Sequence, residues 1–380
     1  MGNNYQYFIK NFKFLNKVFF LVLSLVLILI SIYGGARHDY YLYTIIWESF
    51  IGGKESIPLN SYGPIHLLLS FIYKLNLLVP KLLFGISFIL LNYYIFRKIL
   101  KKNKFTLIIF FYLTIHCNFL IISFAFFYGI NDSFVSLFFV ISIILFKKKK
   151  IIFSSIFISL AFLIKFYPIL FAPQYLFQKK EMALKVMLTI FIFIFISFLS
   201  FSVIFDYNLL IEPIKFGSTR GPKLTSVLAS LNYSFSENQL IEFFIKYNTY
   251  TVIILVLATH LYTLIKKTDL LYSIILTYVI IVLTYKVGHL QFYIPLLVIA
   301  AYLLTLTDKY LILFKILIPL IILLSLTSLG YSLAGGYWVM PWKIYRENMG
   351  YVFFITNLYI FFRMLFVSNK FRKIENTTEY

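Results

Sequence analysis

Asp39, in the stretch Arg37-His38-Asp39-Tyr40, is the residue best set for acid–base chemistry. It stands hard against the end of an apolar run and opens a long polar interruption that continues through Gly52-Gly53 to Tyr62-Gly63-Pro64. A carboxylate at a membrane edge is costly to desolvate and tends to a raised pKa, which suits a general base. Arg37 and His38 beside it can hold an anion or tune the carboxylate. The plainer role is an N-cap for the aromatic helix that follows. The polar neighbours and the length of the loop favour chemistry.

Three further clusters carry polar side chains into otherwise apolar sequence. Tyr128-Gly129-Ile130-Asn131-Asp132-Ser133 reads as a turn, with Asn131 or Asp132 available either to act or to cap the next helix. Lys165 and Tyr167, in Leu163-Ile164-Lys165-Phe166-Tyr167-Pro168, interrupt an apolar hairpin. A lysine so placed points to a phosphate partner, with snorkelling to the interface as the alternative. Lys286, His289 and Gln291 lie in Tyr285-Lys286-Val287-Gly288-His289-Leu290-Gln291-Phe292-Tyr293 and offer groups for phosphate or sugar hydroxyls. Arg220, in Gly217-Ser218-Thr219-Arg220-Gly221-Pro222-Lys223, is a weaker candidate of the same kind. Asp39 and Asp132 are thus the candidate catalytic residues. Arg37, His38, Asn131, Lys165, Tyr167, Arg220, Lys286, His289 and Gln291 are the candidate substrate-binding ones.

The elements that must hold these residues are membrane helices. Of 380 residues, 61% are hydrophobic and only 13% charged, which excludes a soluble domain of this size and predicts one all-α polytopic transmembrane domain over 1–380. The net charge of +21 comes in short basic clusters between apolar runs, a topological pattern and not a nucleic-acid face. The single cysteine, Cys117, excludes a disulfide framework. No phosphate-cradling glycine loop, zinc-type spacing or serine elbow is present, and no metal site or cofactor is expected.

Apolar runs at 18–33, 82–97, 105–127, 133–146, 183–205, 248–265, 269–285, 290–307, 310–329 and 351–367 predict about ten full spans, the first as a retained signal anchor. The Lys/Arg clusters put both termini in the cytoplasm. The same rule makes 64–79 an outer-side interfacial helix and 151–178 a hairpin broken near Lys165. The long loops 34–63, 206–247 and 330–350 then share the outer face with every candidate residue.

Taken together, Asp39-Tyr40, Gly52-Gly53 and Tyr62-Gly63-Pro64 resemble the first outer loop of GT-C class integral-membrane glycosyltransferases. The likeness is closest to bacterial polyprenyl-phosphate-mannose mannosyltransferases and to the first mannosyltransferase of glycosylphosphatidylinositol synthesis. Gly129–Ser133, Leu163–Pro168 and Lys286–Tyr293 match that group's Gly-Asn-Asp turn, Lys-Tyr-Pro hairpin and Gln-Tyr turn in the same order, over about 37 to 300. The resemblance implies a polyprenyl-phosphate sugar donor, a lipid-linked or glycan acceptor, the bacterial cell membrane, Asp39 as base, and inversion at the anomeric carbon. Arg37 stands where eukaryotic relatives have the first aspartate of an Asp-x-Asp pair, a departure that puts any divalent-metal requirement in doubt. A polysaccharide polymerase or ligase is the second reading. A flippase would call for symmetric broken helices at mid-membrane and internal repeats.

Overall fold

The computed structural model describes residues 2–37, 39–53, 57, 60–178, 180–235, 238–333 and 340–372. It is helical almost throughout. In chain order the helices are α1 (Gly2–Gly34), α2 (Asp39–Ile51), α3 (Pro64–Tyr73), α4 (Val79–Lys101), α5 (Phe105–Thr114), α6 (Asp132–Lys147), α7 (Ile151–Ile164), α8 (Ala172–Leu176) and α9 (Lys180–Ile204). They continue with α10 (Asn208–Thr219), α11 (Val227–Ser234), α12 (Gln239–Ile265), α13 (Leu270–Thr284), α14 (Ile294–Leu303), α15 (Asp308–Leu333) and α16 (Met340–Val367). Two residues of β1 (Lys223–Leu224) pair in parallel with β2 (Val287–Gly288), with Lys223 opposite Val287.

Local chemistry sets many of the boundaries. Pro64, Pro80 and Pro295 stand in the first turns of α3, α4 and α14, where a missing N–H costs nothing. Asn238 and Asp269 cap α12 and α13 by accepting backbone N–H groups of the first turn.

Six described helices are long and apolar enough to cross a membrane: Lys10–Gly34, Val79–Lys101, Met182–Ile204, Gln239–Ile265, Asp308–Leu333 and Glu347–Phe371. The protein is therefore an all-α, multi-pass membrane protein. The count is smaller than the ten apolar runs, for a physical reason. The runs 105–127, 133–146, 269–285 and 290–307 fold as shorter helices whose breaks are covered by protein. α14 is buried along its whole length and α13 along most of it. Interrupted backbone is tolerated at depth where neighbouring helices satisfy it. Counting the bent pair Ile121–Phe127 and Asp132–Lys147, which meet at 104°, as one span brings the total to seven.

The hairpin of 151–178 breaks at Lys165 as expected: α7 stops, Lys165 is extended at φ −152° and ψ 129°, and a 3-10 turn at Tyr167–Phe171 leads into α8. The short α3 buries His66, Leu67 and Ser70 while leaving Leu68 and Phe71 exposed.

Candidate active site

Asp39 opens α2, whose next turns bury one aromatic face: Tyr40, Tyr43, Trp47 and Phe50. Burial of that face anchors Asp39. The Tyr40 hydroxyl donates to Leu77 O at 2.6 Å, and the Trp47 indole donates to His66 O at 2.8 Å. Tyr43 reaches across the chain, its hydroxyl donating to Asn131 Oδ1 at 3.2 Å. The Asn131 amide nitrogen in turn lies 3.2 Å from His66 Nδ1. Since that nitrogen is a donor, His66 accepts at Nδ1 and carries its proton on Nε2.

The Asn131-Asp132 turn is held by its backbone. Gly129 sits at φ +63°, and a Cβ there would lie 2.4 Å from Lys81 Cγ. The glycine thus provides both the left-handed conformation and the space for a buried lysine. The Lys81 ammonium donates to Gly35 O at 2.8 Å and Phe127 O at 2.6 Å. One cation therefore ties the end of α1, four residues before Asp39, to the chain just before the Gly129 turn. Capping is not the work of Asn131, whose side chain makes no cap hydrogen bond to α6. Asp132, fully buried, forms a 2.6 Å ion pair with Lys165, and the Tyr167 hydroxyl also acts on its carboxylate. Lys165 Nζ also lies 4.7 Å from the Phe292 ring centroid and within about 6 Å of those of Tyr62 and Tyr167.

Gly63 allows the first loop to close on this pair. Its N–H donates to Ile164 O at 3.0 Å, and a Cβ at Gly63 would fall 2.3 Å from Leu163 O. Tyr62 is thereby set beside Lys165, with its ring 5.1 Å from Tyr43 and 4.3 Å from His66. Burial raises the phenol pKa of both Tyr43 and Tyr62, and the negative charges of Asp39 and Asp132 raise them further, so both stay neutral. Asp39 is therefore close enough to Tyr43, Tyr62 and Asp132 for its charge to act on each.

Next to this acidic centre lies a cavity of about 380 Å³. Tyr62, Lys165, Tyr167, Arg220, His289 and Gln291 are among its polar lining residues. Its other walls are largely apolar, from Phe166 and Leu170 to Pro213 and Ile214 of α10, Val252 and Ile253 of α12, and Ile281 and Val282 of α13. The β1–β2 pairing brings the Arg220 loop against the His289 turn. Lys223 N–H donates to Lys286 O, and Thr225 N–H to Gly288 O. Burial, then the neighbouring Arg220, Lys165 and Lys223 cations, push the His289 pKa well down, so it meets a ligand as neutral imidazole. Its Nε2 and Arg220 Nε are buried without hydrogen-bond partners. Unsatisfied polar atoms around one cavity are what a polar ligand would complete.

The candidates thus separate. Lys165, Tyr167, Arg220, His289 and Gln291 converge on the cavity, while Asp39, Asn131 and Asp132 form the acidic centre beside it. Arg37 is exposed and stacks over Tyr33 and Phe127, away from the cavity lining. Lys286 turns toward α12, its ammonium 3.3 Å from Ile245 O and its N–H bonded to Asn248 Oδ1. His38 lies outside the described residues. Tyr43, Tyr62, His66 and Lys81 join the site without having stood out as candidates. For His66 the available signal was a lone imidazole in a short apolar helix; for Lys81 it was a lysine in the first turn of a span.

Burial, then the charge of Lys165, push the His66 pKa down from its usual 6.5 to about 3. The folded chain therefore refuses a proton that the unfolded chain accepts below about pH 6.5. This part of the stability is fully present above that pH and is lost as pH falls toward 3, by about 1.4 kcal/mol for each pH unit. Detergent-solubilised protein is expected to unfold more readily at pH 5.5 than at 7.5, and His66→Gln to flatten that difference. An unchanged slope in the variant would remove His66 as its source.

A family model described as Glycosyltransferase family 87 matches residues 61–265, more than half of the chain. The matched segment holds Tyr62, His66, Lys81, the Gly129–Ser133 turn, Lys165, Tyr167 and Arg220. Asp39 precedes it and the His289 turn follows it. No curated protein matches the chain.

Proposed function

The chain belongs to glycosyltransferase family 87 and is a membrane glycosyltransferase, and from that premise we propose that it moves a hexose, mannose by resemblance, from a polyprenyl-phosphate donor to a lipid-linked or cell-envelope glycan acceptor. In this reading the reaction takes place at the outer face of the bacterial cell membrane, with both termini cytoplasmic.

The observation that carries the proposal is the composition of the cavity. A cationic and hydrogen-bonding end, with Lys165, Arg220, His289 and Gln291, is continuous with apolar walls contributed by three helices. A phosphate attached to a long hydrocarbon needs that combination. Lys165 and Arg220 neutralise the phosphate, while Gln291 and the neutral His289 bond sugar or phosphate oxygens. Tyr62 lines the cavity and also feels the charge of Asp39. The acceptor hydroxyl then approaches from the Asp39 side.

Asp39 takes the proton of that hydroxyl as its oxygen bonds to C1 of the sugar on the face opposite the phosphate. The C1–O bond to phosphate breaks, and its electron pair leaves with the polyprenyl phosphate. The anomeric configuration inverts. Charge grows on the leaving phosphate in the transition state, where fixed cations in a water-poor site contribute most. Asp132 holds Lys165 in position for this.

The test supplies membranes containing the protein with labelled polyprenyl-phosphate mannose and, separately, polyprenyl-phosphate glucose. Transfer from mannose donor is expected. Arg220→Ala is expected to reduce it at least tenfold while the protein still accumulates normally. Transfer from neither donor by a correctly folded protein would refute the donor class.

A further inference from the structure

At the end of the bundle opposite the cavity, we infer that Lys98, Lys148 and Tyr94 form a binding site for a phosphate group. α4 and α6 both run from the acidic centre to this end, α4 carrying Lys98 near its C-terminus and α6 ending at Lys147. Lys98 Nζ lies 4.9 Å from the Tyr94 ring centroid, and Lys148 Nζ, just past α6, lies 5.8 Å from the same ring. Both ammonium groups lie near enough to donate to the buried Tyr94 hydroxyl, whose own proton meets no acceptor among the described residues. Lys147 and Lys309 adjoin them, both facing the Tyr310 ring at 4.4 and 5.7 Å. Asp269, 3.4 Å from Lys309, is the carboxylate acting on this group.

Basic residues at one end of a membrane bundle are expected from topology alone, and scattered lysines would need no further account. The arrangement here differs in three respects. The lysines come from the ends of separate helices and converge, so their mutual repulsion is built into the fold. Among the described residues, the carboxylate that acts on Lys147 and Lys309 is Asp269, whereas the charges acting on Tyr94 are those of Lys98 and Lys148. The point where Lys98 and Lys148 meet also holds the Tyr94 hydroxyl, whose proton no described acceptor takes. Two cations and a hydroxyl around one point suit a phosphate oxygen cluster, which would offset the repulsion and satisfy the phenol. Such a phosphate comes either from the headgroup of an anionic lipid in the adjoining leaflet or from free phosphate in solution. The site stands apart from the acidic centre and its cavity, and does not depend on the proposed donor.

The test uses the full-length protein in detergent and measures thermal unfolding with added phosphatidylglycerol, with phosphatidylcholine of the same acyl chains, and with inorganic phosphate. The same three arms are run on a Lys98→Gln/Lys148→Gln variant. Phosphatidylglycerol is expected to stabilise wild type beyond phosphatidylcholine, with at least tenfold weaker apparent affinity in the variant. Stabilisation by millimolar inorganic phosphate alone, lost in the variant, would equally support the site and identify free phosphate as its occupant. Equal responses to both lipids with none to phosphate would overturn the proposal, as would a variant that responds like wild type. The phosphatidylcholine arm reads the folding of the variant directly, and its sugar transfer is expected to stay at the wild-type level.

Discussion

Asp39→Asn is expected to lower sugar transfer by roughly a hundred- to ten-thousandfold, the contribution typical of a positioned general base. The substitution keeps the size of the side chain and replaces the charged, basic carboxylate with a neutral amide. Asp39 is partly exposed at the first residue of α2, and the anchoring of that helix rests on Tyr40, Tyr43 and Trp47 behind it. Fold and expression should therefore hold, and the loss should appear in kcat more than in KM. Transfer assays in membranes, normalised to protein abundance, make the comparison. A variant within threefold of wild type would leave Asp39 as the residue that begins α2 and nothing more.

Breaking the Asp132–Lys165 pair is expected to have the largest effect on stability. With Asp132→Ala the Lys165 ammonium remains among Phe292, Tyr62 and Tyr167 without its counter-ion. A buried charge left without its partner costs about 3–5 kcal/mol. Replacing both residues, as Asp132→Asn with Lys165→Met, removes both charges and is expected to recover most of that loss in detergent unfolding experiments. If Lys165 serves the donor phosphate, the stable double variant still fails to transfer sugar. Transfer at wild-type level by the double variant would reduce the pair to a structural bond.

The parts of this site that could be read from the chain are those where chemistry contradicts its surroundings. Lys165 within an apolar hairpin, Asp39 at the end of an apolar run, and the Gly129-to-Ser133 turn all conflict locally with a plain membrane helix. Such conflict is visible without a structure. What escaped notice depends on distant pairing. Tyr43 and Asn131 are 88 residues apart, and His66 and Asn131 are 65 apart. Nothing near Tyr43 marks it off from the other aromatics of α2. Lys81 resembles an ordinary charge beside Pro80, and only the room left by Gly129 reveals its part. The span count ran high because hydropathy measures apolarity and does not distinguish lipid from protein as the cover. α13 and α14 are as apolar as any lipid-facing helix, yet they are packed inside the bundle. Likewise Lys286 and His289 occupy one turn, but the bond from Lys286 N–H to Asn248 belongs to tertiary structure and was not legible nearby.

The order in which the chain supplies the site also bears on its biosynthesis. The clasp at Lys81 joins residues 35, 81 and 127, and the ion pair joins 132 with 165. The Arg220 loop gains its pairing strand only when residues 287 and 288 arrive. A ribosome feeding this protein into the membrane therefore releases charged halves well before their counterparts. Asp132 waits for the 33 further residues that bring Lys165, in a partly assembled bundle. Chains stalled in that interval carry unneutralised charge at the membrane boundary, a feature by which insertion and quality-control machinery can distinguish an unfinished enzyme from a finished one.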